Sequence, residues 1–408
     1  MKSAECKRGS AAPGAVESLR FRALVSVSFM HFLNDLHPTM LPAFLPVIVE
    51  RLSLSLGRAG FLSTAFGMVN IMVQPLAGYL ADRRDAPTFA LWAPFFTAAG
   101  ACLLPVAPNY GAALLFVAVM ACGTAGFHPQ GHGITGIAGG SSRLGVYLAI
   151  FASAGTLGAA LSPLYGVFLL SAAGPSFVPL ALLPLLVLIL AARHFLPSRS
   201  MILPPTAGAA SDARGSESFF KSTGRVLGIC LPLVVISIVR DATSQGIRVF
   251  LPMLVTSRGG SLEMGGSVLF AFTVAGSAAN LAGGRLADMF GKERVITAML
   301  ALSPVFLLPA VLMDGLVSVA LFVLGGACIA ATSPVTLAMA QEYVPGSRSS
   351  ASSLVMGVSW GFANIAASPI GVLADNIGLA PALAVVSLSP LLVVGYIAFS
   401  KFVLKRGL

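Results

Sequence analysis

The sequence predicts an all-α polytopic membrane protein whose twelve transmembrane helices form two six-helix halves. Three observations predict this fold class. Of the 408 residues, 56% are hydrophobic and only 10% are charged, and the mean hydropathy is +0.89, so the chain has too little polar surface for a water-soluble globule. Apolar stretches of membrane-spanning length follow one another almost end to end. Features of the first half of the chain recur in the second half at a constant offset.

The apolar stretches are long enough to cross a bilayer, which takes roughly 20 residues of helix. They are too long and too uniformly apolar for barrel strands, and open strands leave backbone groups unsatisfied in lipid, so the spans must be helices. The predicted spans 1 to 12 are 21–50, 58–82, 88–107, 110–138, 144–171, 175–195, 224–256, 264–290, 293–313, 315–343, 350–374 and 379–402.

The basic residues fall almost entirely on one side of the predicted bilayer. Of the 25 Lys and Arg residues, the only ones elsewhere are Arg51, Arg58, Arg240, Arg248 and Arg258. An excess of Lys and Arg marks the cytoplasmic side of a membrane protein, so both termini are predicted to be cytoplasmic. The net charge of +10 therefore indicates topology and a lipid bilayer partner rather than nucleic-acid binding.

A duplication explains the constant offset between the halves. The pairs that are 206 residues apart include Asp35 with Asp241, Gly60 with Gly266, and Ser162–Pro163 with Ser368–Pro369. The only long polar segment after the N-terminal tail lies between the two copies and is typical of a linker. The predicted organisation is a cytoplasmic tail 1–20, a first half 21–196, a cytoplasmic linker 197–222, a second half 223–403 and a cytoplasmic tail 404–408.

The first polar cluster inside a span is HFLNDLHPTMLPAFLP, residues 31–46. An ionisable residue inside a membrane is costly and usually faces a cavity or a partner. His31 and Asp35 are one helical turn apart on the same face, so this pair can exchange a proton near working pH. The alternative is a hydrogen bond between helices that never titrates. His37, next to Pro38, is expected to serve helix bending or the rim of the pore.

The second polar cluster is RDATSQGIR in span 7. Arg240 and Asp241 are adjacent, so we do not expect them to face each other, and each then needs another partner. Asp241, Gln245 and Arg248 recur at helical spacing and form one polar stripe. The planar guanidinium of arginine suits carboxylate, phosphate or phosphonate. Arg248 either binds an anionic substrate or neutralises an aspartate.

The third polar cluster is the pair of His128 and His132 in span 4, with a proline between them. The two histidines are one turn apart, although proline disturbs the helix that carries them. Together with His31 and Asp35 they offer a ligand set for a transition metal, provided that all four side chains converge.

Two loop segments, GYLADRRD and GRLADMFGKERV, resemble the motif between spans 2 and 3 of major facilitator transporters and its copy between spans 8 and 9. Transporters of that superfamily rock one six-helix half against the other. The resemblance implies that the motif latches adjacent helices on the cytoplasmic side, through Asp82, Arg83, Asp288, Lys292 and Arg294. The first copy departs from the pattern at Asp85, where a glycine is usual. Charged loop residues without a latch role are the alternative.

The segments GFHPQGHG, residues 126–133, and HFLND are similar to the fosmidomycin-resistance branch of bacterial drug-efflux proteins. The resemblance implies a protein of the bacterial cytoplasmic membrane that exports small molecules in exchange for protons. Gln130 replaces the Glu of that family. Span 5 also resembles an antiporter motif at Gly158, Ser162, Pro163 and Gly166, a spacing that permits close helix packing at a gate. An ordinary small-residue helix interface is the alternative.

These features predict a secondary active transporter, namely a proton-coupled antiporter that exports a small amphipathic or anionic compound by alternating access. A symporter that imports an organic anion and a transition-metal transporter are the alternatives. The chain has no nucleophile–base set, P-loop or dinucleotide fingerprint in a suitable context. It is therefore not expected to be an enzyme or to need a cofactor, and a monomer is expected.

The candidate site residues fall into three groups. The proton-coupling candidates are Asp35, His31, Asp241 and His128. The substrate-binding candidates are Arg240, Gln245, Arg248, His132, Gln130, Asn364, Trp360 and Phe127. The gating candidates are Asp82, Arg83, Asp288, Lys292, Arg294, Gly158 and Pro163.

Overall fold

The structure, a computed structural model, describes residues 13–82, 84–139, 143–202, 219–344, 351 and 354–402. Within these residues there is no strand, and twelve helices are long and apolar enough to cross a membrane, which confirms the predicted fold class. They are α1 (Val16–Leu52), α2 (Leu56–Gly78), α3 (Thr88–Val106), α4 (Tyr110–Gly139), α5 (Val146–Ala172), α6 (Pro175–Ala192), α7 (Gly224–Ser257), α8 (Leu262–Phe290), α9 (Lys292–Leu312), α10 (Gly315–Tyr343), α11 (Val355–Ile377) and α12 (Leu379–Ser400).

Helical structure extends beyond the predicted spans at the polar ends of two helices. The first helical segment of α1 begins at Pro13, inside the predicted tail, and the helix that contains α7 begins at Phe219, inside the predicted linker. The linker also starts with a short helix, Arg199–Ile202. Residues 1–12, 203–218 and 403–408, which include most of the predicted linker and the whole predicted C-terminal tail, lie outside the described residues.

α1 is interrupted within its polar cluster. Its two segments, Pro13–Asp35 and Met40–Leu52, are separated by a turn that contains His37 and Pro38. Proline lacks the N–H that a helix needs and disfavours helical geometry in the residue before it. Nδ1 of His37 lies 2.7 Å from the carbonyl oxygen of Leu33, so this imidazole is engaged by the backbone at the bend.

The hydrophobic core is shared by the two halves at one end of the bundle and divided at the other. One buried cluster joins the halves, with Phe44 and Phe250 among its members. A second cluster belongs to the first half alone and a third to the second half alone. We call the shared end the far end; it carries the loops 53–55 and 258–261. The other end, which carries Arg199–Ile202, is the linker end.

Two seams close the far end, because α2 packs against α11 and α5 packs against α8. A Cβ atom on Gly60 of α2 would lie 2.3 Å from the carbonyl oxygen of Ala367, so the two backbones approach more closely than a side chain allows. The inter-half hydrogen bonds that can be described run from the far end only to the level of Ser63 and Asn364. The halves therefore enclose a cavity that is closed at the far end.

Candidate functional site

A carboxylate and two imidazoles meet inside the first half, next to the break in α1. Oδ2 of Asp35 lies 3.2 Å from Nε2 of His31, one turn earlier on the same helix, and Oδ1 lies 3.5 Å from Nε2 of His128 on α4. Only 7% of the His31 side chain is exposed, against 21% for Asp35 and 25% for His128. Three of the predicted proton-coupling residues thus form one group, which we call the His–Asp–His triad.

The second nitrogen of each imidazole is held by a backbone carbonyl. Nδ1 of His31 lies 2.8 Å from the oxygen of Phe151, and Nδ1 of His128 lies 2.8 Å from the oxygen of Thr124. Because a carbonyl oxygen only accepts, each Nδ1 carries the proton of the hydrogen bond and each Nε2 faces Asp35. Two bare Nε2 lone pairs and a carboxylate would repel one another, so a further proton shared among the three groups is needed. The arrangement can therefore store an exchangeable proton.

Aromatic rings and a glycine fix the position of His31. Its ring stacks on Phe151, with centroids 4.0 Å apart, and lies 5.4 Å from the ring of Phe127. A Cβ atom on Gly155 of α5 would come within 2.4 Å of the imidazole. Phe127 is fully buried in this stack rather than facing the cavity, contrary to its predicted role as a stacking surface for substrate. Sequence reasoning missed Phe151 and Gly155, whose only signal is the Gly-rich pattern of span 5.

A buried amide links the triad to α3. Nδ2 of Asn34 donates to Oδ1 of Asp35 at 2.8 Å, and Oγ1 of Thr97 donates to Oδ1 of Asn34 at 2.8 Å. Asn34 and Thr97 are both fully buried. This chain of hydrogen bonds sets the orientation of the carboxylate, and nothing in the sequence pairs Thr97 with span 1.

Asp241, the counterpart of Asp35 in the repeat, has a different partner. Nε of Arg240 donates to Oδ1 of Asp241 at 2.8 Å, and Nη2 donates to Oδ2 at 3.0 Å. The prediction that these adjacent residues do not face each other is wrong, because the arginine side chain is long enough to fold back along the helix. The remaining Nη1 donates to Oγ1 of Thr336 at 2.8 Å. Arg240 is only 3% exposed, and these bonds direct it away from a substrate role.

A cavity of about 130 Å³ lies between the halves. It is lined by residues of α1, α2, α7 and α11, among them Phe66, Asp241, Gln245, Arg248 and Trp360. Within the described part of the chain, the buried Nε of Arg248 has no hydrogen-bond partner. The cavity therefore contains a cation whose hydrogen-bonding capacity is not used up by the protein.

Three predicted substrate-binding residues besides Arg248 line this cavity together. Nε2 of Gln245 donates to Oδ1 of Asn364 at 3.1 Å and to Oγ of Ser63 at 3.3 Å. Nδ2 of Asn364 donates to the carbonyl oxygen of Trp360 at 2.9 Å. Because Ser63 belongs to the first half and the others to the second, this network joins the halves at the wall of the cavity.

Gln130 serves the packing of α3 instead of the cavity. Its Oε1 accepts from the backbone N–H of Ala90 at 2.8 Å, and its Nε2 donates to the carbonyl oxygen of Ala86 at 3.3 Å. An ionised glutamate could accept the first bond but could not donate the second. The side-chain amide of Gln130 therefore has a structural role, and the geometry does not support its predicted role in substrate binding.

His132 does not join the triad. Its ring packs edge-on against Phe151, with centroids 4.9 Å apart. Among the described residues, the group with ligand atoms within 4.8 Å of one another contains the three triad residues and omits His132. The four-residue convergence that the transition-metal hypothesis required is therefore not assembled.

The second copy of the loop motif joins two neighbouring helices of its own half. Nζ of Lys292, at the start of α9, forms an ion pair and hydrogen bond with Glu342 near the end of α10. Asp288 and Arg294 are exposed. Of the three predicted latch residues in this copy, the structure thus places Lys292 in a contact between helices.

The first copy of the loop motif contacts the start of the linker. Asp82 ends the helix Leu56–Asp82, and Arg83 lies outside the described residues. Asp85, which departs from the family pattern, accepts from the backbone N–H of Ser200 at 2.6 Å and from its hydroxyl at 2.8 Å. The unusual carboxylate is thereby paired with the short helix at the beginning of the linker.

Gly158 and Pro163, the predicted gating residues of α5, lie at two close helix contacts. A Cβ atom on Gly158 would lie 2.3 Å from the carbonyl oxygen of Phe32, so α5 and α1 touch through their backbones. The carbonyl oxygen of Pro163 lies 3.3 Å from the position that a Cβ atom on Gly266 would take, across the seam between α5 and α8. Gly158 thus serves packing within the first half, and Pro163 lies between the halves.

Comparison with known sequences places these features in a family. The chain matches the Major Facilitator Superfamily over residues 27–231 and 233–407. It is 27% identical to an uncharacterized MFS-type transporter, YfnC, of Bacillus subtilis (strain 168), over 92% of this chain and 91% of that protein. It is 26% identical to the fosmidomycin resistance protein of Escherichia coli (strain K12), over 94% of each chain.

Solved structures share the fold at low sequence identity. A bacterial homolog of the human lysosomal transporter Spinster, in an inward-facing and occupied conformation, has a TM-score of 0.79 and 14% identity, with 95% of this chain and 98% of that chain covered. The nucleoside transporter NupG has a TM-score of 0.70 and 14% identity, with 94% and 99% covered. The family match over residues 27–231 and 233–407, together with the twelve membrane helices, shows that the chain belongs to the major facilitator superfamily.

Proposed function

We propose that this protein is a proton-coupled antiporter that exports a small anionic compound, with the linker end facing the cytoplasm. The contrast between two equivalent aspartates carries the proposal. Asp35 shares its surroundings with two imidazoles, a type of side chain that serves proteins as a proton carrier. Asp241 is held by the guanidinium of Arg240, which does not discharge. The His–Asp–His triad is therefore the proposed proton carrier, and the second half supplies fixed charge.

Arg248 is the proposed anchor for the substrate. The charges of Arg240 and Asp241 cancel because the two residues form an ion pair. Arg248 therefore gives the second half a net positive charge of one at the cavity. A guanidinium with free donors binds carboxylate or phosphate groups through two parallel hydrogen bonds. Trp360, which is 61% exposed, offers an aromatic surface in the same cavity for an apolar part of the substrate.

Alternating access supplies the transport cycle in this proposal. The shared core and the two seams keep the far end closed, so the cavity faces the linker end in this state. Rocking the halves would open the seams and close the linker end, exchanging an anion from inside for a proton from outside. The export direction rests on the similarity to the fosmidomycin resistance protein and on the antiporter-like motif of α5.

Everted membrane vesicles with a respiration-driven proton gradient test the coupling, with fosmidomycin as the probe anion. We expect the probe to collapse the gradient in vesicles that contain the wild type, and to leave it intact with Asp35→Asn, which keeps Arg248 and should still bind the probe. His132→Gln is the matched control, because it removes a histidine of α4 outside the triad. Probe-dependent proton movement that persists in Asp35→Asn would remove Asp35 from the mechanism.

Binding of the same probe to purified protein tests the anchor. Removing a charge-assisted hydrogen bond of about 1.5–3 kcal/mol should raise the dissociation constant of Arg248→Ala by roughly 10- to 100-fold. Arg58→Ala, an exposed arginine at the far end, should bind as the wild type does. Equal affinity in Arg248→Ala and wild type would place the anion elsewhere.

One observation favours a second candidate, a symporter that imports an organic anion. An anion on Arg248 and a proton on the triad attract each other, and this attraction favours the simultaneous binding that a symporter needs. The direction of the proton flux separates the two functions. Accumulation of the probe in right-side-out vesicles, driven by protons moving inward with it, would replace the antiporter with the symporter.

A further inference from the structure

A single carboxylate of the second half completes the first turn of a helix in the first half. Asp375, near the end of α11, accepts from the backbone N–H groups of Leu56 at 2.7 Å and Gly57 at 2.8 Å, the first residues of α2. The first N–H groups of a helix have no partner within it. A negative charge at this position is also favoured by the helix dipole. The far end therefore has a charge-assisted contact that spans the two halves.

The backbones around this contact are packed too closely to shift independently. A Cβ atom on Gly371 of α11 would lie 2.2 Å from the carbonyl oxygen of Leu56. One on Gly57 would lie 3.1 Å from Oδ2 of Asp375. Further down the seam, the hydroxyl of Thr64 donates to the carbonyl oxygen of Asn364 at 3.0 Å. Separating α2 from α11 must therefore break both hydrogen bonds of Asp375 together.

The equivalent seam, between α5 and α8, lacks this contact. The repeat places Leu169 where Asp375 stands, and α5 contains no acidic residue. The start of α8 is instead capped within its own half, where Oγ of Ser261 accepts from the N–H of Met264 at 3.1 Å. Across the seam, Ser171 of α5 donates a hydrogen bond to the side chain of Glu263. The duplication thus produced two related seams, and among the described residues only the seam between α2 and α11 has a carboxylate that accepts from the first backbone N–H groups of the opposing helix.

We infer that Asp375 is the lock of the gate at the far end. Its carboxylate holds α2 and α11 together in the state with the far end closed, and it must leave the first turn of α2 before the cavity opens there. Its removal shifts the equilibrium toward the state with the far end open. This role is independent of the direction of transport, of the substrate and of which aspartate carries the proton.

A distance measurement across the seam tests the lock without any substrate. Spin labels on Ser53→Cys and Asn376→Cys, in a background with the five native cysteines replaced by serine, report the separation of the two halves at the far end. We expect Asp375→Ala to raise the ratio of long to short distances about five-fold, the shift that loss of a typical helix cap produces. Asp375→Asn keeps one acceptor without the charge and should give a smaller shift in the same direction.

Asp314→Asn is the matched control, because it removes a carboxylate at the same end that pairs inside the second half, with Nε of Arg258 at 3.2 Å. It should leave the distance distribution unchanged. If Asp375→Ala and Asp375→Asn, each eluting as folded protein, give the wild-type distribution, the lock is disproved, while the proposed proton site stands. If Asp314→Asn causes the same shift as Asp375→Ala, the effect is a general loss of charge at the far end, and the lock is disproved as well.

Discussion

Asp35 and Asp241 occupy the same position in the two halves and differ in the groups that face them. Asp35 lies between two imidazoles whose other nitrogens are fixed by carbonyl groups. Asp241 is held at both oxygens by Arg240. The two copies of this carboxylate therefore have different partners in the two halves. In the proposed mechanism, the group in the first half gains and loses the proton, and the charge pair in the second half stays fixed.

The largest effect is expected from breaking the fixed pair. Arg240→Ala leaves Asp241 without its partner inside the protein, which should lower the free energy of unfolding by about 3–5 kcal/mol. Thermal unfolding of the purified variant, followed by fluorescence-detected size exclusion, measures this change. The double variant Arg240→Ala/Asp241→Ala should recover part of the loss, because no unpaired charge remains. An Arg240→Ala variant as stable as wild type would contradict a structural role for the pair.

A smaller effect is expected from disturbing the packing around His31. Gly155→Ala places a methyl group 2.4 Å from the imidazole of His31 and should displace the ring from Asp35. Overpacking of this kind costs typically 1–3 kcal/mol in stability. We also expect weaker probe-dependent collapse of the proton gradient in everted vesicles.

Gly136→Ala is the control for Gly155→Ala, since a Cβ atom at Gly136 of α4 meets nothing within 4 Å. That variant should transport as the wild type does. Normal coupling in Gly155→Ala would show that the position of His31 is not needed for proton exchange.

The smallest effect is expected at Gln130, which lies near the triad in sequence but serves α3. Gln130→Glu restores the residue of the related family and leaves the carbonyl oxygen of Ala86 without its donor. The loss of one hydrogen bond should reduce stability by about 1 kcal/mol and leave proton exchange intact. A change in the pH dependence of transport in this variant would bring position 130 into the proton pathway.

The fold could be predicted almost entirely from the sequence, because the bilayer requires long apolar segments and the breaks between them are strongly polar. The prediction of 293–313 for a span and the observed helix Lys292–Leu312 show how closely the bounds agree. The break within α1 was predicted only in part, since bending was expected at His37 and Pro38 but an interruption of the helix was not. There the apolar run continues past Pro38, so hydropathy alone gives a single span.

The candidate site was less accessible to sequence reasoning, because partners on different helices depend on packing. The spacing of His31 and Asp35 indicated a shared face, but nothing fixed the approach of His128 from α4. The pairing of Arg240 with Asp241 was missed because adjacent Cβ atoms diverge on a helix, whereas a long side chain can fold back. In the sequence, Phe127 could be either a core residue or a ring that stacks on the substrate. Only its burial in the structure distinguishes the two.

The proton uptake of the purified protein tests the contrast between the halves most directly. Uptake between about pH 8 and pH 5, the range in which histidines change charge, is recorded with a pH indicator for the wild type and three variants. We predict that His31→Gln/His128→Gln and Asp35→Asn each change the uptake in this range and that Asp241→Asn matches the wild type. A change confined to Asp241→Asn, with the triad variants unaltered, would place the proton in the second half and contradict the proposed role of the His–Asp–His triad.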